Sequence, residues 1–177
     1  TSSGNKNFII KAKDFYTFEY FSLSEKMELS SLPMPEGAEF SGVFGDHILI
    51  KTRNEFELNG RKLRSGSVVA YKLNEIQNPK YELVFEPNQT QAFSELTFTQ
   101  KTLYISYLDN VNGRLKAIEN QSGEWISREV PVPDMSEVGV NADSEGNLAF
   151  ISYSNQITVY TEELIRDGEA RGSFFRK

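Results

Sequence analysis

GDHILIKTR, residues 45–53, has two counterparts further along the chain: QKTLYISYL at 100–108 and EGNLAFISY at 145–153. Each begins in turn-forming residues, here Gly45-Asp46, Gln100-Lys101 and Gly146-Asn147. Each is preceded by a shorter strand-like run and followed by another: GSVVAYKL (66–73), NGRLKAIEN (112–120) and NQITVYTEE (155–163). The period is roughly 45–55 residues, with about four extended runs in each unit. A unit of that size and content is the pattern of a propeller blade. It is a small antiparallel sheet that cannot bury both its faces alone and so stacks on its neighbours. The expected fold is therefore all-β: a partial β-propeller of consecutive four-stranded antiparallel blades.

Working outward, extended runs bounded by turn residues fill the chain. They are Phe8–Lys11, Phe15–Leu23, Met27–Ser31, Ala38–Phe44, His47–Arg53, Ser67–Leu73, Tyr81–Phe85, Ala92–Thr99, Leu103–Leu108, Arg114–Glu119, Trp125–Val130, Val138–Asn141, Leu148–Tyr153 and Ile157–Tyr160. Alternating apolar residues and the turn residues between runs carry this reading. Helical signal is confined to one turn at Leu73–Pro79, stopped by the proline, and Thr161–Arg166 fits a helical turn as well as a strand, so the tail from Thr161 stays open between the two. The runs divide the chain into blades at 37–87, 91–131 and 137–177 and a remnant at 6–35, with no hydrolase domain in the sequence. Propellers close with about 4–8 blades. Open edges and an apolar flank are expected here, and with them a homodimer formed through open blade edges.

EFELNGRKLR, residues 55–64, is a hairpin inserted between the second and third strands of the first blade. Asn59-Gly60 tolerates the two positive φ angles of a type I′ turn. That turn sets Leu58 against Arg61, Glu57 against Lys62, Phe56 against Leu63 and Glu55 against Arg64. Two Glu-to-base pairs then share one face, each contributing about 0.2–1 kcal/mol. A lone two-stranded ribbon is marginal in water, so this one must lean on the body.

The composition excludes several functions. A net charge of −6 and a pI near 5.0, without a basic patch beyond Arg61–Arg64, argue against nucleic acid. With no cysteine, disulfides, zinc thiolates and thiol nucleophiles are all out. No apolar run approaches the ~18 residues of a membrane span, so no membrane partner is expected. The N-terminal TSSGNKNF lacks a signal pattern, and the compartment stays open between cytoplasm and periplasm or exterior.

The chemistry-bearing residues read as structural. G-x-S-x-G, the nucleophile elbow, is absent, and Gly66-Ser67 lacks its second glycine. The single histidine, His47, is expected as a partly exposed residue beside a turn. The segments 143–147 and 109–113 lack the spacing of a calcium loop. Glu36/Glu39, Glu162/Glu163 and Asp134/Glu137 sit in polar segments as solvated charges. Asn88-Gln-Thr90 and Asn120-Gln-Ser122 match glycosylation sequons, and Trp125 is expected to pack between blades. No catalytic, metal or cofactor-binding residue is assigned, and no cofactor is implied.

Three further pieces carry a resemblance. Gly66-Ser67-Val68-Val69-Ala70 follows a strand and a charged ribbon. Val84-Phe85-Glu86-Pro87 closes the same unit. Leu108-Asp109-Asn110-Val111 is followed by Arg114-Leu115. In this order, over roughly residues 14–160, the chain resembles the later part of the propeller in the prolyl oligopeptidase family of serine peptidases. The resemblance implies a parent with two domains, in which the propeller caps an α/β-hydrolase domain with a Ser-Asp-His site and restricts substrates to short peptides. The chain departs from the family in lacking the hydrolase domain and a proline-containing segment near 153–157. The expected function is a non-catalytic propeller segment that filters peptide access. Its partners are the hydrolase domain and peptide substrates, and the ribbon has two readings: a decorated loop on the propeller rim, or a gate or interdomain contact formed by Glu55, Glu57, Arg61, Lys62 and Arg64. The alternative is a self-standing propeller-type binding or scaffold module.

Overall fold

The computed structural model describes residues 7–15, 18–155, 161–166 and 169–175. The strands β1 (Asn7–Ala12), β2 (Phe18–Leu23) and β3 (Leu29–Ser31) form a three-stranded sheet. β4 (Glu39–Phe44) and β5 (His47–Lys51) open the first four-stranded sheet. The chain then makes the separate ribbon β6 (Phe56–Leu58) and β7 (Arg61–Leu63) before completing that sheet with β8 (Val68–Lys72) and β9 (Glu82–Phe85). The second sheet is β10 (Gln91–Phe98), β11 (Leu103–Asp109), β12 (Asn112–Gln121) and β13 (Glu124–Val130). The third is β14 (Glu137–Ala142), β15 (Leu148–Ser154), β16 (Thr161–Arg166) and β17 (Glu169–Phe175). Every pairing is antiparallel between successive strands of a sheet. Among the described residues the helical content is a 3-10 turn at Leu73–Glu75, and no helix is long and apolar enough to cross a membrane.

The sheets stack face to face, and three apolar cores lie between them. Ile48, Ile50, Val69 and Tyr71 of the first four-stranded sheet meet Tyr20 and Phe8 of the three-stranded one. The opposite face of the first sheet, with Leu49, Val68, Ala70 and Phe85, meets Leu103, Ile105, Tyr107 and Ile118 of the second. Tyr104, Leu115, Ala117 and Val130 of the second then meet Val140, Ala149, Ile151 and Ile165 of the third. This explains why the middle strands read as unbroken apolar runs such as HILI and VVAY. Alternate side chains enter two different cores, so both faces are dry. At ~25 cal/mol per Å2 of apolar surface removed from water, these interfaces hold the stack together. The result is a partial β-propeller.

One open choice is resolved and one expectation is corrected. Thr161–Arg166, which the sequence leaves between strand and helical turn, is strand β16, paired with β15 along its length. Thr161 and Ile165 are buried on one side of it, as a strand requires and as the ladder enforces. The expected strand Ile157–Tyr160 lies outside the described residues. His47 is not partly exposed but 4% exposed. It opens β5 beneath the Trp125 ring, whose centroid is 5.2 Å away in an edge-on arrangement. Its Nδ1 lies 2.7 Å from Asp46 Oδ1 and its Nε2 3.6 Å from Glu82 Oε2. Trp125 packs between sheets as expected, its Nε1 donating to Glu82 Oε2 at 2.7 Å.

Candidate functional site

The ribbon adopts the register its turn dictates: Phe56 opposite Leu63, Glu57 opposite Lys62 and Leu58 opposite Arg61. Asn59 and Gly60 have φ of 52° and 77°, the double positive φ of type I′. Its support is now identified. Leu63 is buried in the core shared with Ile48 and Tyr71, with Phe56 and Leu58 packed against it. The Phe56 ring meets Tyr81 edge-on at 5.3 Å. The neck is tied by Thr52 N–H to Ser67 O and Gly66 N–H to Thr52 O, both at 2.8 Å. The Ser65 hydroxyl donates to Arg53 O, and the Ser67 hydroxyl to Arg64 O.

The ion pairs differ from the expected cross-strand set. Arg61 and Arg64 both bind the carboxylate of Glu86, which also accepts the Arg64 backbone N–H at 3.2 Å. Lys62 reaches diagonally to Glu55 at 3.7 Å, and Glu57 makes no ion pair among the described residues. The alternation of the ribbon explains the change. Arg61 shares the face of Leu58 and the buried Leu63, so it is carried against the body, where Glu86 waits at the end of β9. Of the five expected ribbon charges, Arg61 and Arg64 pin the ribbon down, while Glu55, Glu57 and Lys62 stay on the outside.

The ribbon lies at one end of the stack, and that end is laced together by polar bonds. The Thr90 hydroxyl and Gln91 amide donate to Asp109 at 2.8 and 3.1 Å. These two bonds, the largest influences on it, hold the Asp109 carboxyl below its ordinary range. Arg114 pairs with Asp134 at 2.7 Å, and Met135 N–H donates to Asn112. Above this lacework stand two exposed apolar tips, Val111 and Met135. Sequence reasoning missed Glu86 and these tips. The proline after Glu86 was legible; the carboxylate's two arginine partners are 22 and 25 residues away.

The remaining candidates have structural roles in this geometry. Ser67 is fully buried and stands beyond the Lys51–Val68 end of the β5–β8 ladder, whereas His47 pairs at the other end with Lys72. The two cannot act as a nucleophile and its base. Asp143 accepts the Glu145 N–H at 3.0 Å, as a turn residue does. Asn88 caps its own turn by accepting from Thr90. Among the described residues no three metal-ligating side chains gather.

A stack of four-stranded blades, one of which carries an inserted ribbon, defines the chain as a propeller module. It matches the model of the prolyl oligopeptidase N-terminal β-propeller domain over residues 44–160, and the chain belongs to that family. It is 25% identical over 126 residues to an uncharacterized peptidase, y4nA, of Sinorhizobium fredii, covering 68% of this chain and 17% of that protein. Its fold superimposes on a post-proline cleaving enzyme from Rickettsia typhi with a TM-score of 0.85 at 20% identity, over 96% of this chain and 26% of the other. A solved prolyl endopeptidase gives a TM-score of 0.69 at 9% identity, over 94% of this chain and 24% of that one. The chain thus spans between a sixth and about a quarter of these relatives.

Proposed function

We propose that the chain is the non-catalytic propeller segment of a prolyl-oligopeptidase-like serine peptidase. It filters peptide access to an α/β-hydrolase domain of the same parent chain and supports that domain. The observation that carries this reading is the family match over 44–160, which spans the ribbon and most of the polar end. The partners are the hydrolase domain and the parent's peptide substrates, and the units 37–87, 91–131 and 137–177 act as blades beside the remnant 6–35. Open edges of the blades favour a homodimer of the chain taken alone. A sedimentation coefficient that stays monomeric at high concentration would count against that.

In this reading the ribbon is the gate or interdomain contact. Glu55, Glu57 and Lys62 face water while Arg61 and Arg64 fasten the base. Outward charges with few apolar anchors suit a hydrated contact that opens and closes. Deleting residues 55–64 is a poor test, because Leu63 would leave the core. The cleaner variant keeps Phe56 and Leu63 and replaces Glu55, Glu57 and Lys62 with serine in the full-length protein. Turnover of a peptide series of rising length should then show a shifted size cutoff. An unchanged cutoff would reduce the ribbon to a packing element and reject the gate.

A further inference from the structure

The first strands β4, β10 and β14 are edge strands, hydrogen-bonded within their sheets on one side only. Three clefts run along them. One of about 410 Å3 lies between β2, β4 and β10, with Phe18, Phe40 and Phe93 in its walls. One of about 760 Å3 lies between β10 and β14, with Val140 and Phe150 in its walls. A third of about 280 Å3 continues along β14. Glu95 and Leu96 border both larger clefts, and Gly139 and Ser152 border the second and the third. The clefts therefore form one track crossing the first strands.

The track is built by a repeated device. β4 carries a bulge between Phe40 and Gly42, and β10 one between Phe93 and Glu95. The sequences are Phe40-Ser41-Gly42-Val43 and Phe93-Ser94-Glu95-Leu96. A bulge leaves its extra residue unpaired and re-aims its neighbours. Both bulged serines line the first cleft. Lys51 in the lining is committed, paired with Glu39 and lying 5.3 Å over the Phe93 ring. Glu95 is exposed beside the second bulge, and its carboxylate has no ion-pair or hydrogen-bond partner among the described residues.

We propose that this track binds an extended oligopeptide. An apolar side chain sits in the Phe40–Phe93 cleft, free edge N–H and C=O groups of β4 and β10 meet the peptide backbone, and a positive group of the peptide meets Glu95. Strand edges take up extended peptides through main-chain bonds, and pockets for alternate side chains give specificity. Apolar walls beside one unpaired carboxylate select an apolar residue next to a basic side chain. The inference rests on the reading that peptides pass this propeller, and it names the class of peptide retained there.

The test is fluorescence anisotropy on the full-length protein with Lys-Phe-Gly-Gly, Glu-Phe-Gly-Gly and Lys-Ala-Gly-Gly, each acetylated at its N-terminus and labelled at its C-terminus. Lys-Phe-Gly-Gly should bind tightest. Glu95→Gln should weaken it about two- to fivefold, the scale of an exposed ion pair, and bring it toward Glu-Phe-Gly-Gly. Glu95→Lys should invert the preference. Equal binding of all three peptides by the unmodified protein, or a preference that survives Glu95→Gln, overturns the proposal. Glu95 is exposed, so unchanged circular dichroism is expected of both variants. Because binding is read without turnover, an unchanged size cutoff in the ribbon variant would reject the filter while leaving this result to stand or fall alone.

Discussion

Glu39 illustrates how a single carboxylate near the track is held. Burial pushes its carboxyl up, but hydrogen bonds from Lys51 and Arg53, with their charges, outweigh burial and bring it below the ordinary value of 4.5. A group depressed in the folded state stabilises above its unfolded value, and that contribution is lost as pH falls through the folded one. Glu39→Gln should therefore cost roughly 0.5–1 kcal/mol at pH 7, discounted for partial exposure. The difference should shrink toward zero well below pH 4.5. Urea midpoints at pH 7 and pH 3 read both, and an equal loss at each pH would show that the charge is not what matters. Tyrosines behave in the opposite sense. Burial, then the hydrogen bond to Glu129, raises the Tyr107 phenol, so it stays a donor to Glu129, at 2.9 and 3.0 Å. None of this was legible from residue type. Glu39 looked like one more solvated acid in a turn-like segment, because its cationic partners sit on the neighbouring strand β5 and just beyond it.

Among the elements, the ribbon was read to the residue and the bulges were not read at all. Asn-Gly fixes the hairpin register locally, so Phe56, Glu57 and Leu58 find their partners without help from the rest of the chain. A bulge instead appears as a break of the two-residue period: Phe40 and Val43, or Phe93 and Leu96, are three apart yet serve one core. That spacing was present in the sequence and was hidden inside runs that otherwise alternate. In β14 the period is unbroken, and Val138, Val140 and Ala142 pack on one side with no bulge. The bulge in β4 depends on Gly42, whose φ is +130° and whose added Cβ would lie 2.9 Å from the Phe98 ring. Gly42→Ala combines backbone strain with overpacking, each on the order of 1–3 kcal/mol, so a loss of about 2 kcal/mol or more in a denaturation experiment is expected. A neutral result would mean that the bulge is not held by this glycine. Thr161–Arg166 was left open for a different reason. Six residues carrying two glutamates fit a helical turn as well as a strand, and only the ladder with β15 decides.

Taken whole, the molecule is a row of sheets whose middle strands are buried twice and whose first and last strands are edges. The four-strand repeat was legible because burial on both faces forces the unbroken apolar runs HILI, VVAY and LYIS. The family was legible in the ordered pieces 66–70, 84–87 and 108–115. The placement of the ribbon's charges was not legible, because Glu86 meets them only after the sheets fold. The buried setting of His47 was not legible either, since Trp125 reaches it from the next sheet. The claim on which the rest depends is the stacking itself, and amide hydrogen exchange of the full-length protein tests it most directly. Slowest exchange is expected in the middle strands His47–Lys51, Val68–Lys72, Leu103–Asp109 and Asn112–Gln121. The first strands Glu39–Phe44 and Gln91–Phe98 should exchange sooner. Uniform protection across the four strands of a sheet, or first strands that outlast the middle ones, would contradict the stack of blades.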